Sequence, residues 1–186
     1  MASGQLIMVV GPSGAGKDSI LALVKAAMPD LVFVRRTITR PADDGFEDHV
    51  PVSDDEFEAL SKTGEFLMEW AANGLRYGIP KSVSADLARG NRVVFNGSRG
   101  ALPQIAEAYP DIFVLSIEVS KDVLRDRLER RGRETPEAIE ARLARDVPDF
   151  PAGVQVEVID NSGPLENAVA QMIDAISRQT RDGTAA

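Results

Sequence analysis

The sequence contains no cysteine and a single histidine, His49. Disulfides, thiolate metal sites and cysteine nucleophiles are thereby excluded, and a reducing, intracellular compartment is the natural expectation. No apolar run approaches the roughly 20 residues needed to span a bilayer. The opening stretch from Met1 to Gln5 has neither the charged start nor the apolar body of a secretory signal, so a soluble, cytoplasmic protein is expected. Basic residues are also short: 21 Lys and Arg stand against 29 Asp and Glu, a net charge of -8. That balance argues against a general nucleic-acid or anionic-membrane surface.

The few cations are unevenly placed. Arg35, Arg36 and Arg40 form one group, and Arg125, Arg127, Arg130, Arg131 and Arg133 another. Local cationic clusters in an acidic chain point to a small, highly anionic ligand. The length of 186 residues suits one domain with a substantial core.

Five runs have strand character: QLIMVV (5–10), LVFVR (31–35), RVVF (92–95), IFVLSIEV (112–119) and VQVEVI (154–159). Helical patterns lie between them at 19–27, 81–89, 103–109, 121–131 and 165–178. Ser120 is placed to cap the fourth of these and Gly90 to end the second. Alternation of this kind predicts an α/β fold with a mostly parallel sheet covered on both faces. Residues 36–80 break the rhythm and read as an insertion, in which SDDE (53–56) is a capping box opening a further helix. RRGRETPEA (130–138) joins two helices through a glycine, with Thr135 as N-cap and Pro136 at the first helical position, and has the form of a hinged lid. RQTRDGTAA at the C-terminus reads as a frayed tail.

GPSGAGKDS (11–19), directly after the first strand, fits the phosphate-binding pattern G-x-x-x-x-G-K-[ST] at Gly11, Gly16 and Lys17, but offers Asp18 where a hydroxyl is expected. In a strand–loop–helix setting, the backbone N–H groups of Gly11, Pro12, Ser13, Gly14, Ala15, Gly16, Lys17, Asp18 and Ser19, proline excepted, converge on phosphate oxygens. Lys17 is expected to reach the terminal phosphates. A carboxylate in a first helical turn gains roughly 0.3 to 1 kcal/mol from the helix dipole. Repulsion from a phosphate about 4 Å away is of order 4 kcal/mol per unit charge at an effective dielectric near 20, so capping alone does not account for Asp18. A cation between carboxylate and phosphate reverses the sign, and Asp18 is therefore expected to hold Mg²⁺, directly or through water.

The loop, together with RRTITRP (35–41), DHVPVSDDEF (48–57), GEFLMEWAANGLRYG (64–78) and RLERRGRETPEAIEARL (127–143), resembles the guanylate kinase family over nearly the whole chain. The resemblance implies a P-loop NTPase fold of three layers, with a five-stranded parallel core (1–35, 81–126, 146–180), an acceptor-binding insertion (36–80) and an arginine-bearing lid (127–145) that closes over ATP. Guanylate kinases read guanine with a glutamate before Trp, a hydroxyl just after Tyr-Gly and an aspartate at the end of the third core strand. Here Glu69 precedes Trp70, but Ile79 follows Gly78 and the strand RVVF runs into NGSRG. A site built on hydrogen bonds to guanine binds it poorly once those partners are replaced.

The aspartate after the loop lysine, WAANGLRYG and NGSRG are similar to the ribose 1,5-bisphosphate phosphokinase branch. That resemblance implies transfer of the ATP γ-phosphoryl group to ribose 1,5-bisphosphate, giving 5-phosphoribosyl 1-diphosphate. It further implies Lys17, Arg127, Arg131 and Arg142 as catalytic groups and Arg40 and Tyr77 as contacts to the acceptor phosphate. Arg99, beside Ser98 in NGSRG, either holds the 5-phosphate or is an ordinary arginine at a helix start. His49 either donates to the acceptor phosphate or sits in an exposed loop, while Glu69 is placed to accept from a ribose hydroxyl and Trp70 to pack in the core. Arg127, Arg131 and Arg142 also admit a plain reading as a solvated, salt-bridged helix face. Asp43, Asp44, Glu47 and Asp48 read as a solvated loop rather than a metal site, and Asn161 and Ser162 fall in the region of adenine contacts.

A phosphate acceptor is already an oxyanion, so the shortage of histidine is no obstacle; positioning and charge neutralisation are what the reaction requires. Two rivals remain at this level: a guanylate kinase with a rebuilt base pocket, and a non-catalytic binding module on the same fold. The oligomeric state is left open.

Overall fold

A computed structural model describes residues 4–41, 48–132, 134–144 and 148–182, with side chains to 179. Asp43, Asp44, Glu47, Arg133 and the end of the C-terminal tail lie outside the described residues. The core sheet has five parallel strands, β1 (Gln5–Val10), β2 (Val32–Phe33), β7 (Arg92–Asn96), β8 (Phe113–Glu118) and β9 (Gln155–Asp160), in the order β2-β7-β1-β8-β9. β1 is central because it is apolar on both faces: Ile7, Met8, Val9 and Val10 are all 0% exposed.

Alternation along β1 feeds two cores. Ile7 and Val9 face one layer, where Ile20 and Val24 of α1 (Lys17–Ala27) meet Ala168, Met172, Ala175 and Ile176 of α7 (Leu165–Asp182). Leu6, Met8 and Val10 face the other, with Leu102 and Ile105 of α4 (Leu102–Ala108) and Val83 of α3 (Val83–Ala88).

The segment read as an insertion folds as more than one helix. It forms a second sheet, ordered β4-β3-β6-β5, from β3 (Thr37–Ile38), β4 (Val50–Pro51), β5 (Phe66–Ala72) and β6 (Leu75–Pro80). The capping box is present at the start of α2 (Asp54–Lys62), with Ser53 and Glu56 satisfying each other's backbone N–H groups. β5 and β6 pair antiparallel across the Asn73-Gly74 turn, where Asn73 has φ 52° and Gly74 φ 76°, as a tight hairpin requires. Ile38, Trp70, Tyr77 and Ile79 join the second core, so one continuous apolar layer fixes the small sheet against the large one. Each such side chain contributes about 1.5 to 3 kcal/mol on burial, enough in sum to hold that orientation.

α5 (Lys121–Arg131) is capped by Ser120 and ends at Gly132 with φ 62°; α6 (Pro136–Leu143) is capped by Thr135 with proline in its first turn. Leu124 and Leu128 pack on Ile139 and Leu143, making the two helices an independent small cluster. Among the described residues no helix is long and apolar enough to cross a membrane.

Candidate active site

In the strand order, β7 and β8 flank β1, and the chain leaves β1 and β7 at the same sheet edge. Carboxyl ends of strands at such a reversal of winding open a crevice. A cleft of about 790 Å³ lies there, with the 11–19 loop as one wall and the small sheet and the 96–99 turn as the others.

The loop's shape is enforced from below. Gly16 caps α1 at φ 86°, and a Cβ there would come within 2.6 Å of Asn161 Nδ2. Asn161 is 1% exposed and donates from Nδ2 to the Ala15 carbonyl at 2.7 Å. Arg127 donates to the same carbonyl at 3.3 Å and to the Asn161 carbonyl at 2.8 Å. Two donors thus hold one loop carbonyl downward, a pattern that turns neighbouring amides toward the cleft. Lys17 Nζ donates to the carbonyls of Gly11 and Pro12 at 2.8 and 3.0 Å, folding the ammonium over the loop mouth. Asp18 and Ser19 are exposed in the first turn of α1 and line the cleft.

Opposite the loop, Tyr77 stacks on Trp70 with ring centroids 5.5 Å apart and planes 8° from parallel. Trp70, 7% exposed, packs in the core as expected and also lines the cleft. Arg36 and Arg40 reach the cleft from the approach to β3 and its exit. Arg99 Nη2 donates to Ser116 Oγ at 2.7 Å while its Cζ lies 4.0 Å from the Phe150 ring. Burial pushes the Arg99 guanidinium below its usual range, an effect opposed by Glu118 and Asp149. Ser98 lines the same wall.

The described lining residues include five cations, Lys17, Arg36, Arg40, Arg99 and Arg131, and one carboxylate, Asp18. Among the described residues no group of three His, Cys, Asp or Glu is arranged to hold a metal by protein ligands alone. A lone exposed carboxylate beside a phosphate cradle suits Mg²⁺, which keeps waters and takes further oxygens from phosphate.

Several expected positions lie elsewhere. Glu69 points away from the cleft: strand alternation opposes it to Trp70, and its carboxylate accepts from Ser61 Oγ at 2.9 Å, with Arg76 3.9 Å away. His49 is 5% exposed, not in an open loop, and its Nε2 meets the Arg40 carbonyl at 3.2 Å. Arg142 is paired with Glu134 at 2.9 Å, and Arg125 with Glu140 at 2.7 Å; among the described residues Arg131 is the member of the lid group on the cleft wall. Asn161 lies buried under the loop, its Oδ1 without a partner among the described residues, and Ser162 Oγ is taken up by Asp160 at 2.6 Å and the Ser120 N–H at 2.9 Å. Asp48 pairs with Arg35 at 2.8 Å, in keeping with a solvated loop. Arg36 was marked by the arginine cluster and the RRTITRP motif without a role of its own, and Asn161, placed by the sequence in the region of adenine contacts, is found instead under the loop.

The family model for guanylate kinase matches residues 3–179. The chain belongs to the guanylate kinase family. A relative from Burkholderia pseudomallei, named ribose 1,5-bisphosphate phosphokinase PhnN, is 46% identical over 171 residues, 90% of this chain and 92% of that one. A bifunctional ribose 1,5-bisphosphokinase-thymidine phosphorylase from Cupriavidus necator is 41% identical over 185 residues, 99% of this chain but 31% of its relative's length. The solved guanylate kinase from Anaplasma phagocytophilum shares the fold at a TM-score of 0.69 and 18% identity, covering 96% of this chain and 87% of that one.

Proposed function

We propose that the protein is a kinase that transfers the γ-phosphoryl group of ATP to the 1-phosphate of ribose 1,5-bisphosphate, yielding 5-phosphoribosyl 1-diphosphate and ADP. The observation that carries this reading is the charge of the cleft wall: five cations, and a single carboxylate that belongs to the phosphate loop. Guanine offers N–H donors on its pairing edge and needs acceptors to meet them, whereas a sugar bisphosphate offers only acceptors and hydroxyls. Ile79, 0% exposed, stands where a purine-reading hydroxyl is expected, and Glu69 is engaged by Ser61. Relatives of nearly equal length at 46% identity carry the same activity in their name.

In the reaction, an oxygen of the acceptor 1-phosphate attacks the γ-phosphorus in line while the bond to the β-γ bridging oxygen breaks. No general base is required. Lys17 and the loop amides hold the β- and γ-phosphates, and Arg40 with Tyr77 orients the attacking phosphate. Arg131, on the last turn of α5, supplies a planar donor pair for charge spread over the equatorial oxygens. Arg142 and Arg127 act through the lid helices and the loop respectively. Asp18 and phosphate oxygens would hold Mg²⁺, which neutralises developing charge. Arg99 and Ser98 hold the 5-phosphate, and charge restored by that phosphate compensates the burial of Arg99. An acceptor panel scored for ADP release tests the reading: ribose 1,5-bisphosphate turning over well above GMP supports it, and the reverse order overturns it.

A further inference from the structure

Ser116 is 0% exposed in β8, a strand whose other buried residues, from Phe113 to Ile117, are all apolar. It stands beside Val10, the last residue of β1 before the phosphate loop. Arg99 follows β7, on the far side of β1, so its side chain crosses the carboxyl end of β1 to reach the serine, where Nη2 donates to Oγ at 2.7 Å. Phe150, packed against the same core, has its ring 4.0 Å from the guanidinium carbon. The turn that carries Arg99 is itself pinned: the Gly97 N–H donates to the Val9 carbonyl at 2.8 Å, and a Cβ on Gly97 would collide with Met8.

These partners orient the guanidinium without neutralising it. Arg35, Arg76, Arg125 and Arg178 each meet a carboxylate at 2.6 to 2.8 Å. Arg99 has none within ion-pair distance among the described residues; Glu118 and Asp149 act on it only from farther away. A hydroxyl and a ring face fix a plane but leave the charge whole, and a half-buried charge without a counter-ion is unfavourable until an anion arrives. Ser116 takes a single N–H, and among the described residues the other donors of Arg99 are uncommitted on the cleft that it lines.

We infer that Ser116 and Phe150 are positioning residues for the acceptor: they hold Arg99 with its remaining donors toward the cleft, where it meets an anionic oxygen of the acceptor. The inference rests on the proposed phosphate-bearing acceptor and adds how the arginine that meets it is kept in place. Both residues act through Arg99. An arginine already held in one rotamer loses less freedom on binding than one the ligand must order, so a serine with no substrate contact of its own alters affinity.

The test is steady-state kinetics with ATP and Mg²⁺ on wild type, Ser116→Ala, Phe150→Leu and Arg99→Met, and on each of the first two variants combined with Arg99→Met. Ser116→Ala and Phe150→Leu are each expected to raise KM for ribose 1,5-bisphosphate about tenfold while KM for ATP stays within about twofold of wild type. In the Arg99→Met background neither is expected to raise the acceptor KM further, because the group they act through is gone. An unchanged acceptor KM, an equal rise in both KM values, or the same rise in the Arg99→Met background overturns the inference. Where Ser116→Ala does not fold, Phe150→Leu with and without Arg99→Met decides. Wild type that turns over GMP and ignores the bisphosphate overturns the proposed function instead, and the same variants read on GMP still decide the role of Ser116 and Phe150.

Discussion

Asn161 donates its side-chain amide to the carbonyl of Ala15 across 2.7 Å, joining the end of β9 to the floor of the phosphate loop. The two residues are far apart in sequence, and the bond is buried. Replacing Asn161 with alanine leaves the Ala15 carbonyl to Arg127 alone. The expected loss is about 1 to 3 kcal/mol of stability, measured by urea denaturation. KM for ATP is expected to rise while KM for the acceptor stays close to wild type.

Arg131 and Arg127 share a helix face by spacing but differ in contacts, one lining the cleft and the other holding loop and Asn161 carbonyls. Arg131→Ala is therefore expected to lower kcat by about 100-fold or more with little change in denaturation midpoint. Arg127→Ala is expected to lower both. Steady-state kinetics paired with thermal melts separates the two cases, and equal stability losses would refute the distinction.

Asp18 is exposed at the start of α1 and lines the cleft. Asp18→Ala is expected to shift the Mg²⁺ concentration for half-maximal rate upward by about tenfold, with stability changed by less than about 1 kcal/mol. A Mg²⁺ titration of initial rates checks this. An unchanged titration curve contradicts a metal role for the carboxylate.

The phosphate loop was legible because its signature is local: a strand, a glycine pattern and a helix within some twenty residues. The same holds for β1 at 5–10 and for the capping box at Ser53 and Glu56, which the structure repeats. The second sheet was not legible. β3 and β4 are two residues each and pair across the chain, so no run of alternating residues announces them. The orientation of Glu69 depends on the register of β5 against β6, where an irregularity falls between Phe66 and Met68. Of the two readings of His49, donor to the acceptor phosphate or exposed loop residue, the exposed one fails because its burial comes from tertiary contact rather than from its neighbours in sequence. Arg127, Arg131 and Arg142 form one pattern on paper, but packing of α5 on the loop and of α6 on α5 sends their guanidinium groups to three different partners or surfaces.

Glu56, Glu58, Glu140 and Asp160 all have carboxyls held below their ordinary range, by Ser53, Arg76, Arg125 and Ser162 respectively. A folded-state value depressed in this way stabilises the protein above the unfolded range, and the effect disappears as pH falls through the folded value. Stability is therefore expected to be flat near neutrality and to decline on the acid side. Glu56→Gln, which keeps the cap but cannot ionise, is expected to show a shallower acid decline in urea midpoints than wild type. Parallel declines would contradict the contribution of that carboxylate.

The most direct measurement of the central claim is initial-rate ADP release by the unmodified protein with ATP and Mg²⁺, run in parallel on ribose 1,5-bisphosphate and GMP, with the sugar product identified. The account predicts 5-phosphoribosyl 1-diphosphate formed in step with ADP and at least about 100-fold lower kcat/KM on GMP. GMP turning over as well as or better than the bisphosphate would contradict it.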